Sequence, residues 1–264
     1  MIGFNHLGRL GQLGNQMFQY ASLRGIASNR SYSCIWPNYT DPIDDGIGNW
    51  IKTELTNPFL PSQPVGQINT QRYIQEPHYH FSQDLFDNCP DNVSLFGFFQ
   101  SEKYFKDIDQ EIRKDFKFRE EIENPCLEMM NNIDSSPIAL HIRRGDFLIN
   151  SANHFNQSLQ YYEESLKKFD SNRQVIIFSD DTAWCKKQNL FADDRFLVSE
   201  EQDQYHDMCL MSLCSDFIIA NSSFSWWGAW LANKGKVIAP SKWFGPNNAN
   251  NNTKDLYCDH WEVI

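Results

Sequence analysis

Two adjacent arginines follow a short apolar segment in the middle of the chain. Residues 138–142 are mostly apolar and come directly after Pro137, which predicts a buried strand. Arg143 and Arg144 follow, and their guanidinium forks suit phosphate or carboxylate oxygens. Successive strand residues face opposite sides, so both arginines reach one ligand only if the chain bends, as Gly145 permits. The pair is either an anion-binding pair at a strand end or a surface pair beside a turn.

Two further polar loops follow predicted strands in the second half of the chain. Asp180 and Asp181 come after the β-branched run 175–178, and a second loop follows the apolar run 216–220. In a parallel sheet these carboxyl ends share one edge. Aspartates suit the N1–H and exocyclic amine of guanine, whereas hydroxyls and the first N–H groups of a helix suit phosphate. Together with the arginines, the loops predict a nucleoside-diphosphate site that favours guanine. The second loop consists of Asn221, Ser222, Ser223, Phe224 and Ser225.

Each of these loops also has a plainer structural interpretation. The Asp180-Asp181 pair could cap a helix or hold Mg²⁺, although no third carboxylate is close in sequence. The loop at 221–225 could serve only as the cap of a helix beginning at Trp226. Their joint occurrence at successive strand ends favours a ligand site over these alternatives.

A glycine-rich loop near the start of the chain precedes a predicted helix that extends through Ala27. Gly8, Gly11 and Gly14 are spaced by three residues, and no Lys-Ser/Thr follows them. This pattern excludes a Walker loop and fails the dinucleotide fingerprint. The loop either brings backbone N–H groups to a ligand at the helix start or forms a tight turn.

Bulk composition excludes several classes of protein. The chain has 264 residues, 41% of them hydrophobic, and a formal net charge of −11, which argues against general binding of nucleic acid. Its seven cysteines are scattered without a C-x-x-C, so we expect buried free thiols in a reducing compartment. No run has the length of a transmembrane helix, and the first ten residues lack a signal pattern. These features predict a cytoplasmic protein.

The second half of the chain alternates short apolar runs with helical segments. This alternation predicts an α/β fold with a parallel, doubly wound sheet. A polar turn at 134–137 predicts a domain boundary, which gives domains 1–135 and 136–264. Residues 32–66 are irregular in pattern, as is typical of a binding surface. We expect a helix over 120–133, interrupted at Pro125.

Four segments of the chain resemble glycosyltransferase family 11, the GDP-fucose-dependent α-1,2-fucosyltransferases. The similar segments are the glycine loop and helix start at 11–21, the His-Ile-Arg-Arg-Gly-Asp run at 141–146, the segment 178–181, and the Ser/Trp-rich run at 216–231. The resemblance extends to about residue 240, although much of 32–92 carries no matching motif.

The resemblance implies a GT-B-like fold of two Rossmann-type domains. Residues 1–135 would form the acceptor side, and 136–264 would form the nucleotide-binding sheet for the GDP-sugar. It also implies inversion at the fucose anomeric carbon. No metal and no other cofactor would be required, because the arginines would take the place of the cation.

The resemblance also implies roles for individual residues. The catalytic set is Arg143, Arg144, Asp146 and His154, and the general base is left open among Asp146, His154 and Glu163. Related enzymes carry a His-Gly pair after the arginine motif, and His154 is followed by Phe155 instead. The residues that would bind the donor are His141, Arg143, Asp180, Asp181, Asn221, Ser222, Ser223, Phe224, Ser225, Asn15 and Gln16.

The expected activity is metal-independent, inverting transfer of L-fucose from GDP-β-L-fucose to the 2-hydroxyl of a terminal galactose. The acceptor would be a galactose-terminated oligosaccharide or glycolipid, with peripheral contact to the inner membrane left open. A transferase with another acceptor or with GDP-L-galactose as donor is an alternative. A non-catalytic protein that binds a glycan or nucleotide is another.

Overall fold

The computed structural model describes residues 1–46, 49–133, 136–200 and 203–264. The chain forms two compact units, Met1–Lys117 with Asn251–Cys258, and Phe118–Asn250 with Asp259–Ile264. This division falls earlier than the predicted boundary after residue 135, and residues 134 and 135 lie outside the described part. The helix Glu120–Met130 belongs to the second unit because it packs on the helix Gln204–Leu213.

The first unit is built on a short parallel sheet. Its described strands and helices are β1 (Ile2–Gly3), α1 (Leu13–Asn29), β2 (Cys34–Ile35), β3 (Ile43–Asp44), β4 (Trp50–Ile51), β5 (Tyr73–Gln75), α2 (Gln83–Asn88), β6 (Val93–Phe96) and α3 (Asp109–Asp115). Among these residues the main sheet has the order β2-β1-β6-β5 with every pair parallel, and β3 and β4 form an antiparallel hairpin. Two 3₁₀ turns, Glu102–Tyr104 and Lys106–Ile108, precede α3.

Helix α1 lies close to the chain that leaves the sheet. A Cβ at Gly25 would lie 1.8 Å from the backbone oxygen of Tyr104, so only glycine permits this approach. The loop before the helix turns at Gly8 and Gly11, whose φ angles are +79° and +81°. The chain therefore reaches the helix through two left-handed positions that favour glycine.

The second unit contains a longer parallel sheet. Its described elements are α4 (Glu120–Met130), β7 (Ile138–Ile142), α5 (Gly145–Ile149), α6 (Leu159–Leu166), β8 (Val175–Ser179), α7 (Thr182–Cys185), β9 (Phe196–Val198), α8 (Gln204–Leu213), β10 (Asp216–Ile218), α9 (Ser223–Ala232), β11 (Val237–Ala239) and β12 (Glu262–Val263). Within the described residues the strand order is β12-β11-β10-β7-β8-β9, again with all pairs parallel. The order reverses between β7 and β10, which is where open α/β sheets bind ligands.

The core of the second unit lies against β7 and β8, which are buried along nearly their whole length. Tyr161 on α6 reaches across this core and donates its hydroxyl hydrogen to the carbonyl oxygen of Ile219 at 2.7 Å. The phenol thus satisfies a buried polar group at the end of β10. Other buried members of the core include Ile138, Leu140, Ile142, Tyr162, Leu166, Val175, Ile177, Ile218 and Ile238.

Several predicted elements are confirmed and others differ. The predicted parallel sheet and the strands at 138–142 and 175–178 are present, and all seven cysteines are free and buried, as expected. The predicted interruption at Pro125 is wrong, since α4 continues through it. Helix α9 begins at Ser223 rather than Trp226. No helix formed by the described residues is both long and apolar enough to span a membrane.

Candidate functional site

The arginine pair lies at the carboxyl end of β7, next to the point where the strand order reverses. Ile142 on β7 pairs with Ser179 on β8, so Arg143 and Asp180 leave neighbouring strands at the same level. The backbone leaves the extended conformation at Arg144, with φ −133° and ψ −55°, and α5 begins one residue later. This bend lets consecutive arginines meet different groups at one edge of the sheet.

Arg143 is held by two carboxylates. Its Nε donates to Oδ1 of Asp146 at 2.9 Å, and a terminal nitrogen lies 2.8 Å from the same oxygen. Its Nε also lies 3.2 Å from Oδ2 of Asp180. The guanidinium carbon lies 5.7 Å from the ring centre of Phe147. With about a fifth of its side chain exposed, Arg143 is fixed in orientation and still accessible.

Arg144 is held on one side only. Its Nε donates to Oδ2 of Asp181 at 3.0 Å, and its guanidinium lies 3.9 Å above the ring of Trp184. The described residues provide no hydrogen-bond partner for its two terminal nitrogens. A planar fork with its terminal donors open can bind two oxygens of a phosphate group.

The two aspartates predicted to recognise guanine have different partners in the structure. Asp180 accepts the backbone N–H of Arg144 at 2.8 Å in addition to its contact with Arg143. Asp181 caps α7 by accepting the N–H of Trp184 at 3.1 Å, and its other oxygen holds Arg144. Both carboxylates are therefore engaged with the arginines and the local backbone. The glycine that follows the two arginines fits this packing, since a Cβ at Gly145 would lie 2.7 Å from Oδ2 of Asp180.

His141 lies beneath the arginines as a buried residue of β7. Burial lowers its pKa far below the usual value, and Arg143 lowers it further, while Asp180 acts in the opposite direction. Its ring centre lies 5.4 Å from that of Phe224, and the described residues offer no partner to its Nδ1. The imidazole is therefore neutral at physiological pH and retains an unused polar atom at the site.

The loop after β10 forms the other side of the reversal point. Asn221 is buried, and its amide donates to the carbonyl oxygens of Phe155 and Trp243 at 2.8 and 2.7 Å. Ser225 is also buried and donates its hydroxyl hydrogen to the backbone oxygens of Ala220 and Ser222. These two predicted ligand residues are engaged in holding the loop in shape.

The residues between them leave the start of α9 accessible. Ser222 is the N-cap, with Oγ accepting the N–H of Phe224 at 3.3 Å, and Ser222, Ser223 and Phe224 are partly exposed. The first N–H groups of a helix have no partners within the helix, and the helix dipole favours an anion there. The start of α9 thus offers a second set of anion-binding donors. It follows β10, the strand that pairs with β7, which carries the arginines at its end.

The three candidate general bases lie in different environments. His154 stacks on Phe147 with ring centres 4.2 Å apart, and burial lowers its pKa, with Arg143 adding to this and Asp146 opposing it. Asp146 is engaged by Arg143. Glu163 is exposed on α6 and pairs with Lys167 at 2.8 Å. His154 alone of these three combines a neutral imidazole with proximity to the arginine cluster.

Asn15 and Gln16 belong to the first unit. Gln16 is fully buried, and its amide bridges the loop by donating to the carbonyl oxygens of Gly11 and Lys52 and accepting the N–H of Glu54. Asn15 is partly exposed, and its Oδ1 accepts a hydrogen bond from Gln100 at 2.6 Å. Gln16 is thus fully used within the protein, whereas Asn15 remains accessible.

Two features of the site were not predicted from the sequence. Trp184, the platform for Arg144, looked like an ordinary residue of a short helix. Phe147, which contacts Arg143 and His154, gave no signal beyond its place after the arginine motif. Among the described residues, no group of three or more His, Cys, Asp or Glu side chains is arranged to hold a metal ion.

The fold is GT-B-like, with a parallel sheet in each of its two units. The structure is similar to POFUT1 in complex with GDP, with a TM-score of 0.58 at 13% identity, covering 88% of this chain and 94% of that one. The family model for glycosyl transferase family 11 matches residues 2–264. The chain belongs to glycosyltransferase family 11.

Two relatives with similar sequences are named for the transfer of different sugars. An alpha-1,2-colitosyltransferase from Escherichia coli is 32% identical over 267 residues, covering 89% of this chain and 90% of the relative. A galactoside 2-alpha-L-fucosyltransferase from Bos taurus is 25% identical over 247 residues, covering 86% of this chain and 64% of the relative.

Proposed function

We propose that the protein transfers L-fucose from GDP-β-L-fucose to the 2-hydroxyl of a terminal galactose, with inversion and without a metal. The single observation that carries this proposal is the fixed arginine pair at the reversal point, with the terminal donors of Arg144 open. The relatives named above include a galactoside 2-fucosyltransferase, which supports the sugar and the linkage. The acceptor is a galactose-terminated oligosaccharide or glycolipid.

Arg143 and Arg144 act on the leaving group, GDP. When the bond between C1 of fucose and the β-phosphate oxygen breaks, both electrons stay with GDP and negative charge grows on that phosphate. Arg143 and Arg144 donate to the phosphate oxygens, helped by the N–H groups at the start of α9. A fixed donor aimed at developing charge lowers the activation free energy by roughly 3–4 kcal/mol. The arginines thereby take the role that a divalent cation has in other transferases.

Three carboxylates surround the two arginines. Asp146 and Asp180 hold Arg143, and Asp181 holds Arg144. These ion pairs keep the guanidinium planes in place, so that little reorganisation is needed when the diphosphate arrives. Asp180 and Asp181 therefore act on the donor through the arginines in addition to any contact with the base.

The acceptor must lose a proton as it attacks. In the proposed step the galactose 2-hydroxyl oxygen bonds to C1 of fucose, and its proton passes to the ring of His154. A general base of this kind contributes about 10²–10⁴-fold to the rate. The lowered pKa of His154 keeps its imidazole neutral and ready to accept that proton.

Transfer of colitose in place of fucose is the second candidate. The E. coli relative at 32% identity is named for that activity. The same arginine pair would stabilise the same kind of nucleotide leaving group, so the difference lies in the pocket for the sugar. A direct comparison of the two GDP-sugars as donors, at equal concentration, decides between them.

The decisive assay measures release of GDP from GDP-fucose with and without lactose, followed by determination of the linkage in the product by NMR. The proposal predicts acceptor-stimulated release and an α-1,2-linked fucosyl-lactose. Turnover should persist in excess EDTA. Absence of a fucosylated product with a panel of galactosides, or loss of turnover in EDTA that added metal restores, would refute it.

A further inference from the structure

The loop that carries His154 is paired with a segment from much later in the chain. The His154 loop, residues 150–157, lies between α5 and α6, and the segment 242–248 follows β11. The two meet within the second unit, where His154 and Phe244 form an antiparallel bridge. The position of His154 is therefore set by contacts outside its own loop.

The two segments approach so closely that one position requires glycine. The N–H of Gly245 donates to the carbonyl oxygen of Asn153 at 2.9 Å. A Cβ at Gly245 would lie 2.5 and 2.7 Å from the backbone oxygens of Ser151 and Ala152. The φ angle of Gly245 is −74°, which any residue can adopt, so the glycine is required by the close approach alone.

Asn221 joins both segments to the loop that follows β10. Its Nδ2 donates to the carbonyl oxygen of Phe155, next to His154, at 2.8 Å. It also donates to the carbonyl oxygen of Trp243, next to Phe244, at 2.7 Å. A side-chain amide nitrogen carries two hydrogens, whereas a serine hydroxyl has one and an ionised aspartate has none. Asparagine is thus suited to hold two backbone oxygens together, and this role uses both of its amide hydrogens.

The His154 loop also contacts α5, which follows the arginines. The ring of His154 stacks on that of Phe147, with centres 4.2 Å apart and planes within 9° of parallel. Nδ2 of Asn156, in the same loop, donates to the carbonyl oxygen of Phe147 at 3.1 Å. The ring of Phe147 in turn has its centre 5.7 Å from the guanidinium carbon of Arg143. A shift of the loop would therefore move the imidazole relative to the arginine cluster.

We propose that Asn221 is a positioning residue, which holds the imidazole of His154 in place for the transfer step. The proposal rests on the function proposed above, in which His154 accepts the proton of the acceptor hydroxyl. It differs from the expectation drawn from the sequence, in which Asn221 binds the donor. With 3% of its surface exposed and both amide hydrogens engaged, Asn221 has little to offer a ligand directly.

An NMR titration of the His154 ring tests this link without any substrate. Asn221→Ala removes both donors, and Gly245→Ala forces the two segments apart. Either change should loosen the His154 loop and expose the imidazole, so the pKa of His154, which burial lowers, should rise towards 6.5. The resonance of His154 is the one missing from His154→Gln, and circular dichroism establishes that each variant is folded.

The charged groups near the ring are the same in all these variants. Arg143 lowers the pKa of His154 and Asp146 raises it. Lys242, on the paired segment, lies with its Nζ 5.0 Å from the ring centre of Phe155. Because none of these groups is replaced, a rise in the pKa reports a change in the burial or the position of the imidazole.

Tyr161→Phe is the matched control for a merely structural effect. Its hydroxyl donates to the carbonyl oxygens of Ile219 and Ile238, so this variant also loses buried hydrogen bonds at the end of β10. Those bonds do not involve the His154 loop. We expect Tyr161→Phe to lower stability and to leave the pKa of His154 at its wild-type value.

Kinetics and GDP binding provide the second readout. In Asn221→Ala, kcat should fall by up to about 10²-fold, the cost of a small misplacement of a reacting group. The acid limb of kcat/KM should move to higher pH together with the pKa of His154. The Kd for GDP, measured by calorimetry, should remain that of the wild type, because both arginines are retained.

Three results would overturn the proposal. They are an unchanged pKa of His154 in the folded variants, an equal shift in Tyr161→Phe, and weaker GDP binding as the sole effect of Asn221→Ala. Failure of the proposed function is distinguishable from these results. It would appear as absence of fucosyl transfer by the wild type, while the substrate-free titration would still show the shift.

Discussion

The carboxylate of Asp180 lies 3.2 Å from Nε of Arg143. Its other oxygen accepts the backbone N–H of the next residue, Arg144, at 2.8 Å. The side chain of Asp180, directly after β8, thus contacts the side chain of one arginine and the backbone of the other at the end of β7. The pairing of Ile142 with Ser179 places them together, so this contact follows from the register of two strands.

Asp180→Asn tests whether this carboxylate acts mainly through the arginines. Asparagine keeps an acceptor for the Arg144 N–H but loses the charge facing Arg143. We expect kcat/KM for GDP-fucose to fall about 10–100-fold, the range of a hydrogen bond to a charged group. Asp194→Asn, an exposed aspartate of the same unit, serves as the control.

The same variant also tests recognition of the base. Inosine diphosphate lacks the exocyclic amine of guanine, so the ratio of GDP to inosine diphosphate affinity reports contact with that group. If Asp180 serves the arginines, its replacement leaves this ratio unchanged. A large fall of this affinity ratio in Asp180→Asn would instead show that Asp180 contacts the exocyclic amine of guanine, as expected from the sequence.

Replacement of Arg143 tests the phosphate role. Arg143→Ala should lower kcat by about 10²–10³-fold, the cost of removing one fixed donor to a developing charge. Arg143→Lys should recover only part of this, because lysine keeps the charge without the planar fork. Circular dichroism establishes that the variants are folded, and a kcat near wild type in Arg143→Ala would refute the role.

The pH dependence of kcat/KM tests His154 as the base. Burial lowers the pKa of His154 from its ordinary 6.5, so the neutral, active form persists to lower pH. We expect activity to decline on acidification with an apparent pKa below 6.5. His154→Gln should lower kcat/KM by about 10²-fold or more and abolish that limb. An identical acid limb in the variant would assign the titration to another group.

Glu76 should make the stability of the protein depend on pH. Burial raises the pKa of Glu76 to about 7, against the opposing effect of the Phe99 and Phe98 N–H groups, from an ordinary value of 4.5. The folded state therefore binds a proton on the Glu76 carboxyl more tightly than the unfolded state does. The stabilisation that results is complete below pH 4.5 and is lost as pH rises through about 7.

Chemical denaturation across that pH range provides the measurement. Glu76→Gln cannot ionise, so its free energy of unfolding should vary less between pH 4.5 and 7 than that of the wild type. Other buried acids, such as Asp207 with its raised pKa, contribute equally to both proteins and cancel in the difference. Parallel profiles for the two proteins would contradict the assignment.

Contiguous sequence signals predicted much of the second unit. The apolar run 138–142 and the β-branched run 175–178 could each be predicted as a buried strand from local composition. In the structure they pair as neighbours, β7 and β8. The first unit was harder, since β1 and β2 are only two residues long and gain their stability from each other. Strands this short have no detectable period.

The residues of the site that stand in local motifs could be predicted from the sequence, whereas their partners could not. Arg143 and Arg144 stand in a local motif, whereas the carboxylates that hold them depend on contacts across the sheet. Gln16 lies in a recognisable motif, yet its buried amide bridges segments more distant in sequence. The Tyr79–Gln100 hydrogen bond likewise joins two loops that carry no motif. Pairings between distant residues become visible only in the folded chain.

A crystal structure with GDP is the sharpest test of whether the two arginines bind the leaving phosphate. We expect guanidinium nitrogens of Arg143 or Arg144 to lie within about 3.2 Å of oxygens of the β-phosphate, as a hydrogen bond requires. A diphosphate bound away from both arginines, or one whose oxygens are bridged by a divalent metal ion, would contradict it.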